Sequence, residues 1–435
     1  MKCRLSCTDS RYEVCTFDCS SLDLRDIVAE EIPHSPNIRT LTFTGNRLQS
    51  LSKQYFLHNN RYTNVDFSHN NIEYIESETF AAFNETTHLS LSYNQIWDIR
   101  SDVFQGLTNL LQLDLSYNRL SIWSSMCMQP LKRLTELNLA HNAITSLDAD
   151  SFIELQSLTR LTLDYNELSE LSADQFSSNA RLKYLSLKGN TFTVVPNIAL
   201  QSARNLLDLD LSATKLSKIK EKHFASLSSI QTLRLNRIQS LTEIEKLAFA
   251  DMFNLRTFYC NNNDYLKRID STAFVNSSDN NKLQRLRLNA IYVRNSMITT
   301  FGEDLLDWRT LKTIDLSGNP FTCDCNLRWI RNLSNIDANV VKSMRCQKPW
   351  KVSEKRLFDL SEDQFVCTFM SRIDNEIIAA CLLIIVVSML IVIIAYICVR
   401  LSLLSKIFKR RKSGNEYVRV FPKKDRIELE WDYNG

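Results

Sequence analysis

Apolar and polar residues alternate in short bursts along most of the chain, as in LLQLDLSYNRL (110–120), LTELNLAHNAI (134–144) and LTRLTLDYNEL (158–168). In an extended backbone, successive side chains point to opposite faces. Each L-x-L therefore predicts a short strand with two leucines turned inward and the residues between them turned outward. Asparagines at 46, 70, 94, 118, 142, 166 and 190 follow these bursts, each 24 residues after the last. Thr214 and Ile238 continue the step, and Asn263, Ile291 and Asn319 follow at 25, 28 and 28. Ten residues after the asparagine position stands a large apolar residue: Phe56, Phe80, Phe104, Met128, Phe152, Phe176, Leu200 and Phe224, then Phe249 and Phe274. The pattern predicts a strand, a tight turn and an irregular return, repeated about twelve times. One such unit cannot bury its own apolar face, so the units must stack.

A repeat of this length with L-x-x-L-x-L-x-x-N is the leucine-rich-repeat signature. The expected fold is a curved solenoid with a concave parallel sheet and an irregular convex side, followed by one transmembrane helix. The asparagine amide can satisfy backbone groups that the turning chain would leave unpaired inside. The phenylalanines fill the convex side. Thr214 can keep part of that hydrogen bonding, whereas Ile238 and Ile291 cannot. With the polar insertion VNSSDNNK (275–282), they predict a less regular C-terminal third.

A different pattern follows. Ile377 to Val399 is 23 residues without a charge, about 34 Å as a helix and enough to span a bilayer core. Asp374 and Glu376 precede it; Arg400, Lys406 and Lys409 to Lys412 follow. The positive-inside rule then puts the C-terminus in the cytosol and residues 1–376 outside, as in a single-pass type I plasma-membrane protein. Residues 1–22 contain no apolar run of the kind a signal peptide needs. The expectation is that the leader is missing and that Met1 is not the biological start. The predicted organisation is an N-terminal cysteine-rich cap (1–37), repeats (38–321), a C-terminal cysteine-rich cap (322–367), a stalk (368–376), the span (377–399) and a short tail (400–435).

Composition narrows the chemistry. Seven scattered glycines cannot build a phosphate-cradling loop or a nucleophile elbow. The six histidines include no H-E-x-x-H, and Asp114 with His141 would face an open groove without a nucleophile. The formal charge of +3 gives no sign of a nucleic-acid binder. The tail has ten basic and five acidic residues, so the remainder is slightly acidic. We expect no enzyme, no cofactor and no metal. Cysteines cluster at 3, 7, 15 and 19 and at 323, 325, 346 and 367. In an oxidising compartment such clusters read as disulfides rather than zinc ligands. Cys127 and Cys260 lie too many repeats apart to pair. Asn84, Asn276 and Asn332 head N-x-S/T sequons.

The segment NPFTCDCNLRWI (319–330), with Cys346 and Cys367 beyond it, resembles the C-terminal cysteine cap of extracellular leucine-rich-repeat proteins such as Slit proteins, Nogo receptor and Toll-type ectodomains. The resemblance implies the pairs Cys323–Cys346 and Cys325–Cys367. Cys3, Cys7, Cys15 and Cys19, ending in CSSLDL (19–24), resemble the family's N-terminal cap. Their spacing of three, seven and three departs from the usual form and leaves the pairing open. A tail of 36 residues has no room for a Toll-type cytoplasmic domain.

Concave faces are the usual binding surfaces of solenoids. Before five consecutive asparagines stand His69, Tyr93, Tyr117, His141 and Tyr165, a polar-aromatic ladder. Asp66, Asp114, Glu136, Asp164, Asp208 and Asp210 make the middle of the face acidic; Arg234, Arg237, Arg285 and Arg287 make its far part basic. The expected function is adhesion or ligand reception at the cell surface, with signalling left to a co-receptor. The expected partner is an extracellular or cell-surface protein, with a sulfated glycan as a candidate for the arginines. The alternative is a structural organiser of extracellular matrix or an epithelial surface. Lys409–Lys412 can attract anionic lipid, Cys398 could be palmitoylated, and Tyr417 with Val420 fits a Tyr-x-x-apolar sorting signal.

Overall fold

In the computed structural model, residues 3–8, 14–33, 35–56, 61–276, 284–367 and 375–411 are described. The sorting signal at Tyr417 and Val420 lies outside them. The chain forms two units, Met1–Val366 and Cys367–Gly435.

The first unit is a solenoid built on one 14-stranded sheet. An antiparallel hairpin of Arg4–Thr8 and Val14–Asp18 opens it, and every later neighbour is parallel. Twelve repeat strands follow the hairpin, from Ile38–Thr42 to Thr313–Asp315. In regular repeats the register is the sequence period itself: Leu113 pairs with Leu137, Leu137 with Leu161 and Leu161 with Leu185. Those leucines are buried, as are the phenylalanines behind them. Phe80 stacks on Phe104 at 6.4 Å and Phe152 on Phe176 at 6.2 Å, nearly parallel in both cases.

The asparagines close each turn. The Asn70 amide donates to the Phe43 and Phe67 carbonyls, 2.9 and 3.1 Å away, and its Oδ1 accepts from the Leu48 N–H at 3.1 Å. The same three contacts recur at Asn94, Asn118, Asn142, Asn166 and Asn190. Each asparagine thus joins its own turn to the one before, where water cannot reach those groups. Thr214 keeps one contact, donating to the Leu211 carbonyl at 2.8 Å.

One register differs from the sequence expectation. Ile291 is an inward strand residue, paired with Phe258 and Ile314, and Ser296 takes the asparagine position. The Ser296 hydroxyl accepts from the Asn263 N–H and donates to the Arg294 carbonyl. The insertion lengthens that repeat to 33 residues and shortens the next to 23, which mimics two even steps of 28.

Cysteines fasten both ends. Cys7 bonds to Cys15 and Cys3 to Cys19. The hairpin register sets Cys7 opposite Cys15 and continues to bring Cys3 beside Cys19. At the other end Cys323 bonds to Cys346, and Cys325 and Cys367 are both disulfide-bonded. Cys127 and Cys260 are free and buried; burial pushes both thiols up to about 12, so they behave as small core hydrophobes.

Among its described residues, the second unit contains one helix, Asn375–Arg411. Its stretch Cys381–Leu403 has a mean hydropathy of 3.3 and is long and apolar enough to cross a membrane.

Candidate functional site: the concave sheet and its aromatic rim

The residue before each asparagine has a left-handed backbone, because the chain must turn sharply off the strand there. Glycine fills this position at Gly45, Gly189 and Gly318 (φ about 70°), but His69, Tyr93, Tyr117, His141 and Tyr165 fill it with φ of 50–56°. For a residue with a side chain this conformation costs about 1–3 kcal/mol. The cost is offset by what the rings do together. His69 stacks on Tyr93 at 4.2 Å, Tyr93 on Tyr117 at 4.1 Å, Tyr117 on His141 at 4.0 Å and His141 on Tyr165 at 4.4 Å, within 21° of parallel throughout. Each contact contributes about 0.5–1.5 kcal/mol beyond burial, comparable to the strain. The column ends at Gly189, where a Cβ would collide with the Tyr165 ring; Lys188 Nζ lies 5.3 Å over that ring instead.

Tyr93, Tyr117 and Tyr165 remain about 40% exposed. Their rims line the turn-side edge of the sheet beside the concave face. His141, between two rings, has its pKa held below 6.5, chiefly by burial and also by the charge of Lys188.

Next to the column the sheet holds a hollow of about 470 Å³ that includes Asp66, His88, Asp114, Glu136 and Arg160. Its carboxylates have different duties. Asp66 and Asp114 each accept the N–H two residues on, from Ser68 at 2.8 Å and Ser116 at 2.9 Å; Asp210 does the same for Ser212 at 2.8 Å. These aspartates close strand ends, with one acceptor site of each carboxylate committed to the backbone. The motif D-x-S marks them, and it recurs at Asp18 and Asp315. Glu136 lines the hollow without that duty.

Asp164 accepts from the Lys188 N–H at 3.2 Å. Its pKa is raised above 3.8, mainly by burial and further by the charge of Asp210. A raised carboxyl binds its proton more tightly in the folded chain, so stability falls as pH climbs from 3.8 through the raised value. Asp164→Asn, which keeps the Lys188 contact, therefore raises the melting temperature at pH 7. The gain shrinks as pH falls into the carboxylate range; an equal gain at every pH would refute this account.

The arginines correct the sequence reading. Arg234 is on the concave face but is ion-paired with Asp208; burial works against its charge, and Asp208 and Asp210 outweigh it and raise its pKa. Arg237 is exposed at the left-handed turn, with φ of 55°. Arg285 and Arg287 are off the sheet, because the concave strand of that repeat is Ala290–Tyr292. Arg285 lies instead in a two-stranded hairpin, Val275–Asn276 with Gln284–Arg285. The concave arginine there is Arg294, 3.6 Å from Asp315. Among the described residues, the four arginines of the sequence reading do not line up in one row on the concave sheet. Sequence reading also missed Arg160, whose guanidinium lies 4.0 Å over the Tyr184 ring, and the stacked pair Tyr259–Tyr292.

Comparison with known proteins agrees with this geometry. The leucine rich repeat family matches residues 36–96, 84–144, 132–192 and 180–237, the first three spanning turns that the asparagines join. The chain is a leucine-rich-repeat protein. It is 26% identical over 167 residues to the Danio rerio "Leucine-rich repeat and fibronectin type III domain-containing protein 1", a match covering 37% of this chain and 23% of the relative. The match therefore spans under a quarter of that relative. Among solved structures, a chain of the LRIM1/APL1C complex superposes with a TM-score of 0.58 at 19% identity, over 94% of this chain and 79% of the other. A chain of the Drosophila Toll–Spatzle complex does so with a TM-score of 0.56 at 19% identity, over 76% and 52%. These likenesses show the leucine-rich-repeat fold. The sequons of this leucine-rich-repeat protein sit in different settings: Asn84 and Asn332 are exposed, and Asn276 ends a short strand.

Proposed function

We propose that this chain is a single-pass type I protein of the plasma membrane whose leucine-rich repeats face outward and bind a protein partner. Adhesion or ligand reception would use the concave sheet and its aromatic rim, without catalysis. The observation that carries this reading is the five-ring column, exposed beside a polar hollow. Tyrosine rims offer apolar area and a hydroxyl at low entropic cost, which suits protein recognition. Disulfides at both ends and the apolar helix support the outward orientation. The Toll–Spatzle complex provides a precedent for protein recognition on this fold. The domain limits we propose are those of the sequence pattern, with the tail as a connection to signalling partners.

The test is a tetramerised ectodomain applied to cells, since multivalency reveals weak contacts. Tyr93→Gly with Tyr117→Gly removes two rings and places glycine where a left-handed backbone prefers it. Binding is expected to fall about tenfold or more, with a melting temperature close to that of the parent. Trp97→Ala, 59% exposed and outside the lining of the hollow, should leave binding unchanged. Equal staining by the double glycine variant would remove the column from the site.

A further inference from the structure

The longest repeat leaves a hollow of about 740 Å³ between its hairpin, residues 303–309 and the turn at 329–333 of the C-terminal cap. This lies within the size range of small-ligand sites, about 300–1,000 Å³. Asn332, which heads the sequon Asn332-Leu333-Ser334, is one of its lining residues. It is exposed at the end of the helical turn Arg328–Asn332. Leu333, 8% exposed, anchors the backbone directly behind it. Trp329, one turn earlier, also lines the hollow; its Nε1 donates to the Phe301 carbonyl at 3.1 Å and its ring packs on Trp308 at 5.0 Å.

The remaining lining excludes most ligands by charge. Three arginines and three carboxylates surround the same space, so an anion or a cation meets like charge on one side. Arg285 is already committed, its Nε donating to the Asp304 carbonyl at 2.6 Å. A neutral, polyhydroxylated molecule suits the rest. Its hydroxyls accept from Arg287 and Arg309 and donate to Glu303 and Asp307, while its C–H face packs on Trp329.

We propose that Asn332 carries an N-glycan and that its first sugars occupy this hollow, making the glycan an internal ligand of the cap. The covalent tether supplies a millimolar effective concentration, so weak sugar contacts suffice. The seated sugars would cover the exposed flank of the irregular repeat. The proposal rests on the outward orientation above, because N-glycans are added in the secretory pathway.

The experiment uses the whole protein expressed in secretory cells. Glycopeptide mass spectrometry measures occupancy at Asn84 and Asn332, and native digestion with a peptide-N-glycosidase follows release from each. Asn84, exposed and outside the hollow, is the reference. The Asn332 glycan is expected to be released about tenfold more slowly than the Asn84 glycan, and equally fast after denaturation. Arg287→Ala with Arg309→Ala leaves Trp329 and the cap disulfides in place and should abolish the difference. Glycan at Asn84 with none at Asn332, or equal native release, overturns the proposal and leaves the outward orientation standing. No glycan at either site overturns both.

Discussion

Asn166→Ala is expected to lower the unfolding free energy of the solenoid by about 3–4 kcal/mol. Asn166 is 4% exposed. Its amide donates to the Leu139 and Leu163 carbonyls at 2.9 and 3.1 Å, and its Oδ1 accepts from the Ile144 N–H at 3.1 Å. Alanine leaves the Ile144 N–H buried and unpaired, and the two carbonyls keep only the amides of Asn142 and Asn190, at 3.0 and 2.8 Å. The unpaired N–H costs about 1–3 kcal/mol and each lost carbonyl bond about 0.5–1.5 kcal/mol. Two of the three belong to the preceding turn, so the loss also weakens the coupling between turns on which a solenoid depends. Denaturant melts of the ectodomain measure the effect. A change below about 1 kcal/mol would mean that other groups or water take over these bonds.

Phe152→Ala should cost a similar amount, about 3–5 kcal/mol. The ring is fully buried and stacks on Phe176 at 6.2 Å. The Phe152 carbonyl also accepts from the buried Asn179 amide at 3.0 Å, so the cavity would open beside a polar network as well as beside apolar side chains. The neighbouring Ile153 is 46% exposed, and Ile153→Ala should change stability by about 0.5 kcal/mol or less. Comparable losses for the two variants would contradict the convex column as a core element.

Both effects were legible in the sequence, because each depends on a period. A 24-residue step places leucines, asparagines and phenylalanines in three separate lines whatever the detailed curvature. The N-terminal cap was also more legible than its unfamiliar spacing suggested. A symmetric three–seven–three pattern lets both bonds form in one antiparallel hairpin register, Cys7 with Cys15 and Cys3 with Cys19. The spacing of Asp and Ser in D-x-S likewise carried its meaning locally, since it reports a side chain reaching the N–H two residues on.

The candidate site was less legible. The concave charges read from sequence as an acidic patch followed by a basic one. In the structure Asp66, Asp114 and Asp210 are partly used by the backbone, and Arg234 and Arg294 face Asp208 and Asp315 across adjacent strands. Linear order cannot show this, because the partners are 26 and 21 residues apart.

The sequence by itself determined the repeat, the inward and outward faces of its strands, the cysteine-bearing ends and the apolar segment near the C-terminus. All of these follow from local periodicity, and a stacked fold repeats one local solution. The tertiary structure decided what breaks the period. It moved Ile291 to the inward line and Arg285 and Arg287 off the sheet, since an inserted segment sets register only through the strands on either side. It also turned five separate aromatic residues into one continuous column. That column exists because neighbouring turns lie about one strand spacing apart, close enough for rings 24 residues apart to touch.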